Sequence, residues 1–299
     1  MPGLLPDLGT AMKSYRASAR LPEAEARRLA DALFEADEPA AAAAAIEQDS
    51  GLWLVEGHWP EPPDPSGLRR LAEAVVGRVI EFAIEALDET DWVAESLTTL
   101  HPVPAGRFVV HGRHDRQRVP AGAVGIEIEA GLAFGTGHHA TTRSCLILLD
   151  RLARTRQPRN VLDLGCGSGV LAIAAAKRLR ARVLASDIDP DAVAVARDNV
   201  RLNGAAPWVT VVAAAGLEHA AIRARAPFDL ILANILASPL IALAPALATA
   251  VAPGGHLILS GLLERQGARV LAAYRARGPR PLKRLVLEGW VSLLLRRPG

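Results

Sequence analysis

The sequence predicts a two-domain α/β chain, a Rossmann-like open sheet preceded by a small ferredoxin-like α+β domain. Three observations carry that prediction. In the second half, apolar runs at 161–164, 183–185, 228–233 and 256–259 are each followed by glycine or a polar residue. Buried parallel strands read this way, and the ligands of an open α/β sheet bind at the C-terminal ends of such strands. In the first hundred residues, shorter segments follow the order strand, helix, strand, strand, helix, strand. The charge also changes sign between the halves: residues 1–103 hold 8 Lys and Arg against 19 Asp and Glu, a balance of −11, while residues 104–299 hold 26 against 13, a balance of +13.

Taken in order, Ser14 to Ala19 reads as a short strand and Pro22 to Phe34 as a helix with proline in its first turn. Ala40 to Glu47 and Leu52 to His58 read as a strand pair around Asp49-Ser50-Gly51, Ser66 to Val79 as a second helix, and Glu81 to Ala86 as a last strand. The alanine run 40–45 favours helix by propensity alone, but its flanks place it in a strand. Residues 1–87 are the expected first domain. Glu89 to Leu97 reads as a short helix closed off by Pro102 and Pro104, which makes 88–103 a stiff connector to the second domain, 104–299. The acidic first domain is either a solvated face or a surface that attracts a basic macromolecule and repels nucleic acid.

Next comes Gly131-Leu-Ala-Phe-Gly-Thr-Gly-His-His-Ala-Thr-Thr-Arg143, rich in glycine and hydroxyls, ahead of a helix running to Leu152. It reads as a flexible loop with Thr141 or Thr142 as N-cap, or as a segment that folds over a ligand. The ligand is suggested by Val161-Leu-Asp-Leu-Gly-Cys-Gly-Ser-Gly-Val170, where Gly165, Gly167 and Gly169 let the backbone leave a buried strand tightly and approach a bound group before the next helix. Asp187 ends the following apolar run 22 residues after Gly165, near the roughly 20 expected for a ribose-binding acid. A dinucleotide fingerprint needs its third glycine at the place of Val170. The spacing therefore suits a ligand with ribose and no phosphate, such as S-adenosylmethionine. Small strand-to-helix loops also carry glycines for structural reasons alone.

At 299 residues, half of them hydrophobic, the chain can bury a large core. Asn234, Pro239 and Pro245 interrupt its longest apolar stretch, and no basic, apolar, cleavable N-terminal segment is present, so neither membrane nor export is expected. Cys145 and Cys166 imply no disulfide framework, and a reducing cytoplasm is the expectation. No metal site is expected either, since the adjacent His138 and His139 rarely converge on one ion.

Gly131-Leu-Ala-Phe-Gly-Thr-Gly-His-His, the Leu-Asp-Leu-Gly-Cys-Gly-Ser-Gly-Val-Leu-Ala-Ile-Ala run, Asp187-Ile-Asp-Pro190, Asn199, Asn203-Gly204 and Ala233-Asn-Ile-Leu-Ala237 together resemble the PrmA family, the methyltransferases of ribosomal protein L-eleven. The resemblance covers the catalytic half and reaches Asp91-Trp92 in the connector; the first domain agrees in topology and less in sequence. It implies a class I methyltransferase domain. It also implies S-adenosylmethionine contacts at Thr142, Gly165, Asp187 and Asn234, alongside Gly167 in the glycine turn. Asp189 is a weaker ribose candidate and a good helix cap before Pro190.

The implied chemistry is methyl transfer to lysine side chains and the N-terminal amine of the ribosomal protein, free, before or during ribosome assembly, without direct nucleic-acid contact. Asn234 is the expected catalytic residue, accepting the amine's hydrogens and aiming its lone pair, with a structural cap as the alternative. No side chain stands out as a general base; His138 and His139 have a suitable pKa but serve equally as loop packing. The same core acting on lysines of another protein or on a small molecule is one alternative, and a non-catalytic ribosome-associated binder is a second.

Overall fold

The computed structural model describes residues 14–36, 40, 42–47, 51–59, 61–87, 102–128 and 140–299. The chain divides into two compact units, residues 1–98 and 99–299. The expected helix Glu89 to Leu97 lies outside the described residues.

In the first unit the elements run β1 (Ser14–Leu21), α1 (Glu23–Glu35), β2 (Ala42–Glu47), β3 (Trp53–Trp59), α2 (Pro65–Val76) and β4 (Ala83–Leu87). The sheet order is β2-β3-β1-β4, with every neighbouring pair antiparallel, which is the ferredoxin-like arrangement. The alanine run is a strand because β3 pairs with it from Ala42↔His58 to Glu47↔Trp53. Tertiary pairing here overrides helix propensity, which favours alanine over typical residues by less than about 0.7 kcal/mol each. β3 alternates, with Val55, Gly57 and Trp59 buried while its other positions are only partly covered. α2 starts one residue earlier and ends three residues sooner than its sequence suggests. Asp64 caps it through Ser66 and Gly67 N–H (2.9 Å each), Pro65 occupies its first position, and Gly77 closes it at φ 83°. Leu21, Leu29, Leu33 and Val55 form this unit's own core.

The second unit opens with a small sheet, β5 (Val103–Ala105), β6 (Phe108–His111) and β7 (Val124–Glu127). Then follow α3 (Ala140–Leu152), β8 (Asn160–Leu164), α4 (Val170–Leu179), β9 (Arg182–Asp187), α5 (Pro190–Leu202), β10 (Val209–Ala213), α6 (Ala220–Arg225), β11 (Phe228–Asn234), α7 (Ala237–Ala250), β12 (Val251–Leu263), α8 (Gly267–Arg275), β13 (Arg280–Leu287) and β14 (Trp290–Arg296). The seven strands β8 to β14 form one sheet, in the order β10-β9-β8-β11-β12-β14-β13. The strands from β10 to β12 are parallel, and β14 runs antiparallel to both its neighbours.

Both faces of this sheet are covered, which explains the near-continuous apolar runs. Successive side chains point to opposite faces: Val161 and Val183 join the core under α3, α4 and α5, whereas Leu162, Leu164 and Leu184 join the core under α7 and α8. Pro253-Gly254-Gly255 form an excursion within β12. Between the pairs Phe228↔Val251 and Leu230↔His256, β11 advances two residues and β12 five. Bulges of this kind admit proline to a strand.

Candidate active site

The order β9-β8-β11 places the topological switch point between β8 and β11, where an open α/β sheet has its crevice. The glycine turn leaves β8 at this place. Gly165, Gly167 and Gly169 have φ of +67°, +50° and +80°. At Gly165 a Cβ would also stand 2.4 Å from Ile235 Cγ2, so only glycine fits between the turn and the segment after β11. The Gly165 and Cys166 N–H groups donate to Ser186 O at 2.8 and 3.0 Å, and Asn199 Nδ2 on α5 donates to Ser168 O at 2.9 Å, fixing the turn from both sides. Asn203 acts one turn further on, as the C-cap of α5. Its Nδ2 donates to Glu127 O (2.6 Å), and its Oδ1 accepts from Glu127 N–H (2.9 Å) and Lys177 Nζ (2.8 Å), tying the end of β7 to α4 and α5.

Asp187 ends β9. It accepts Gly167 N–H at 2.8 Å on Oδ2 and Asp189 N–H at 3.1 Å on Oδ1, which orients the carboxylate beside the glycine turn and leaves further lone pairs free. Asp189 has the other role foreseen for it: it caps α5, accepting Asp191 N–H at 2.9 Å. Two carboxylates two residues apart thus divide between ligand edge and helix cap.

Asn234 ends β11, in register with Ser260 of β12. Its Nδ2 donates to Thr141 Oγ1 and Thr142 Oγ1, both at a long 3.3 Å. Thr141 and Thr142 are buried within the first turn of α3 rather than serving as its N-cap, because the helix already begins at Ala140. Three fully buried serines brace that turn. Ser144 Oγ donates toward Ala140 O (2.8 Å) and meets Ser292 Oγ on β14 at 2.8 Å, and Ser292 in turn meets Ser260 Oγ at 2.6 Å. Beside them Gly261, at φ +82°, bulges β12, and a Cβ there would lie 2.3 Å from Ile235 O. The Asn-Ile-Leu segment is therefore seated on backbone that tolerates no side chain.

With both Nδ2 hydrogens directed at the threonines, Asn234 Oδ1 is buried and has no hydrogen-bond partner among the described residues. A buried acceptor without a donor is unfavourable by about 1–3 kcal/mol, so this atom is poised for one supplied by a ligand.

Sequence reasoning gave Asp163 no role. It lies on the face of β8 that α4 covers and is 1% exposed. Burial raises its carboxyl from 3.8 to about 7; the Ala172 amide in the first turn of α4 opposes the rise and the Asp187 charge adds to it. Between these two values only the unfolded chain ionises Asp163, so the stability of the cofactor-free protein falls as pH rises through that window and levels off above it. Asp163→Asn removes this dependence. The unfolding free energy of the variant minus that of the wild type is expected to grow across the same window, toward a limit on the order of 4 kcal/mol. Denaturant unfolding at a series of pH values checks this, and a flat difference would show that Asp163 titrates as an ordinary carboxyl.

Of the predicted site residues, Thr142, Gly165, Gly167, Asp187 and Asn234 all lie on this one edge, with Thr142 in direct contact with Asn234. The Gly131–Gly137 loop, His138 and His139 lie outside the described residues. Among the described residues no group of His, Cys, Asp and Glu has the make-up of a metal site. The edge fits S-adenosylmethionine on its own features: a tight glycine turn at Gly165 to Gly169, an oriented carboxylate at Asp187, and an acceptor at Asn234 left unsatisfied by the described residues.

This sheet order with its reversed strand, and a glycine turn and acid at the switch point, define a class I S-adenosylmethionine-dependent methyltransferase. The family described as "Ribosomal protein L11 methyltransferase (PrmA)" matches residues 23–298. The chain belongs to that family. It is 53% identical over 293 residues to a ribosomal protein L11 methyltransferase of Bradyrhizobium diazoefficiens, covering 96% of this chain and 98% of that one. It is 54% identical over 276 residues to a protein of the same name from Rhodopseudomonas palustris, covering 91% and 94%. Among solved structures it resembles the ribosomal protein L11 methylase of Lactobacillus delbrueckii subsp. bulgaricus, with a TM-score of 0.60 and 30% identity over 67% of this chain and all of that one.

Proposed function

We propose that the protein methylates lysine side chains and the N-terminal amine of ribosomal protein L11. The observation that carries this reading is the buried, unsatisfied Oδ1 of Asn234 at the ligand edge. S-adenosylmethionine, when bound, supplies a methyl group on a sulfonium. What the chain must supply is position and a neutral nucleophile. A lysine amine is protonated at pH 7, and freeing its lone pair costs roughly 4.6 kcal/mol. Asn234 Oδ1 accepts an amine hydrogen and turns the lone pair toward the methyl carbon; S-adenosylhomocysteine is the leaving thioether, and the methylated ammonium gives up one proton to solvent. Nearby positive charge and desolvation favour the neutral amine. Gly165, Gly167, Asp187 and Thr142 hold the donor, Thr142 through its contact with Asn234 as well.

Residues 1–87 are the substrate-holding domain in this reading, 88–103 a connector and 104–299 the catalytic domain. The substrate is the free ribosomal protein in the cytoplasm, before or during assembly, and the reading requires no nucleic acid. No helix among the described residues is long and apolar enough to cross a membrane. Intact-mass spectrometry of purified ribosomal proteins incubated with the enzyme and S-adenosylmethionine tests the proposal. Mass increments of one or more methyl groups on L11 alone are expected; an unmodified L11, or methyl groups on another protein instead, would overturn it.

A further inference from the structure

The far edge of the large sheet carries a cavity of about 320 Å³ between the end of α3 and strands β13 and β14. His256 lines it, at the start of the regular part of β12 and four residues upstream of Ser260, so the cavity lies toward the opposite end of the strands from Asn234. Its walls carry Arg151, Arg156, Lys283 and Arg296, and no carboxylate among the described residues lines it. None of the four cations forms an ion pair or a side-chain hydrogen bond among the described residues, although most arginines elsewhere in this unit do. Arg151 gains something from the helix C-terminus it sits on, but Lys283 and Arg296 are on strands, where no macrodipole rewards them. The floor is apolar, formed by Leu148, Leu152 and Leu294, with Leu282 half-exposed at the rim. His256 is 5% exposed, and its ring is held toward the neutral form by burial and by Arg296 and Arg156.

Four like charges around one concavity repel each other unless an anion sits among them. The volume lies at the small end of the roughly 300–1,000 Å³ typical of small-molecule sites. Guanidinium groups suit phosphate oxygens, and a flat apolar floor suits a base or ribose. We propose that this cavity binds a nucleotide, its phosphate held by Arg151, Arg156, Lys283 and Arg296 and its nucleoside lying on the leucine floor. The ligand chemistry is shared by a free nucleotide and by one residue of a single-stranded RNA. The site is separate from the methyl-transfer edge and goes beyond the function proposed above, on which it does not depend.

The test is calorimetry on the full chain saturated with S-adenosylhomocysteine, which closes the cofactor edge to nucleosides. Uridine monophosphate, orthophosphate and a hexauridylate are titrated at low and at physiological salt. Uridine monophosphate is expected to bind more tightly than orthophosphate. Arg156→Ala and Lys283→Ala are each expected to weaken it by about tenfold, as loss of a charge-assisted contact should, and Leu282→Ser to narrow its advantage over orthophosphate. All three replaced side chains are exposed, and unchanged S-adenosylhomocysteine affinity verifies that the variants fold. Binding of the hexauridylate but not the monophosphate, lost in the same variants, would support the site and assign its ligand to RNA. Equal affinity for orthophosphate and uridine monophosphate would overturn the nucleotide assignment, as would no binding by either uridylate, or binding that the arginine and lysine variants leave unchanged.

Discussion

Asn234→Ala is expected to lower kcat by roughly a hundredfold, the scale on which misplacing a reacting group slows an enzyme, while S-adenosylmethionine affinity falls by much less. The asymmetry follows from how the two ends of the amide are used. Nδ2 is directed at Thr141 and Thr142, two hydroxyls that α3 carries in place. Oδ1 is left buried without a donor among the described residues. An acceptor held in that way contributes most when the amine must present its lone pair in line with the methyl group, and less when only the donor is bound. Alanine removes the acceptor and leaves the two threonine hydroxyls without their amide partner. Steady-state kinetics with L11 gives kcat, and calorimetry without L11 gives cofactor affinity. If both change by the same factor, Asn234 holds the cofactor and does not aim the nucleophile.

The residues of this edge were legible because each must be a particular chemical type at a particular strand end. Glycine at 165 is forced by φ and by Ile235, an acid at 187 follows a buried run, and an amide at 234 follows another. The ferredoxin-like order of the first unit was legible from alternation, even through the alanine run. What holds Asn234 was not. Ser144, Ser260 and Ser292 come from α3, β12 and β14, and a serine inside an apolar stretch gives no sign of which distant serine it meets. Gly261 offered a weak signal, since glycine within a strand often marks a bulge or a close backbone approach. Asp163 offered another as a lone carboxylate in an apolar run, but its raised pKa depends on α4 covering it, which no local pattern states. The small sheet β5-β6-β7 has strands of three and four residues, too short for any periodicity to register. Of the two readings open for Thr141 and Thr142, the N-cap does not hold, because α3 already includes them and their hydroxyls meet Asn234.

Removing residues 1–87 is expected to abolish methylation of L11 while leaving S-adenosylmethionine binding largely intact. Each unit has its own apolar core: the first is built from residues between Ala17 and Ile84, and the cores of the second from residues beyond Ala105. All the proposed cofactor contacts, from Thr142 to Asn234, belong to the second unit. The first carries the balance of −11 next to a remainder of +13, so a basic substrate is drawn to the part of the chain that lacks the chemistry. If that attraction steers L11, the KM of the intact enzyme for L11 rises between low and physiological ionic strength, as the Debye length shrinks from about 30 to about 8 Å, while cofactor affinity stays nearly constant. Calorimetry on the truncated protein establishes that it still folds and binds S-adenosylmethionine, and mass spectrometry then reads methyl groups on L11. A truncated enzyme that methylates L11 as fast as the full chain does, with the same KM, would show that recognition resides in the catalytic unit and that the acidic charge is only a solvated face.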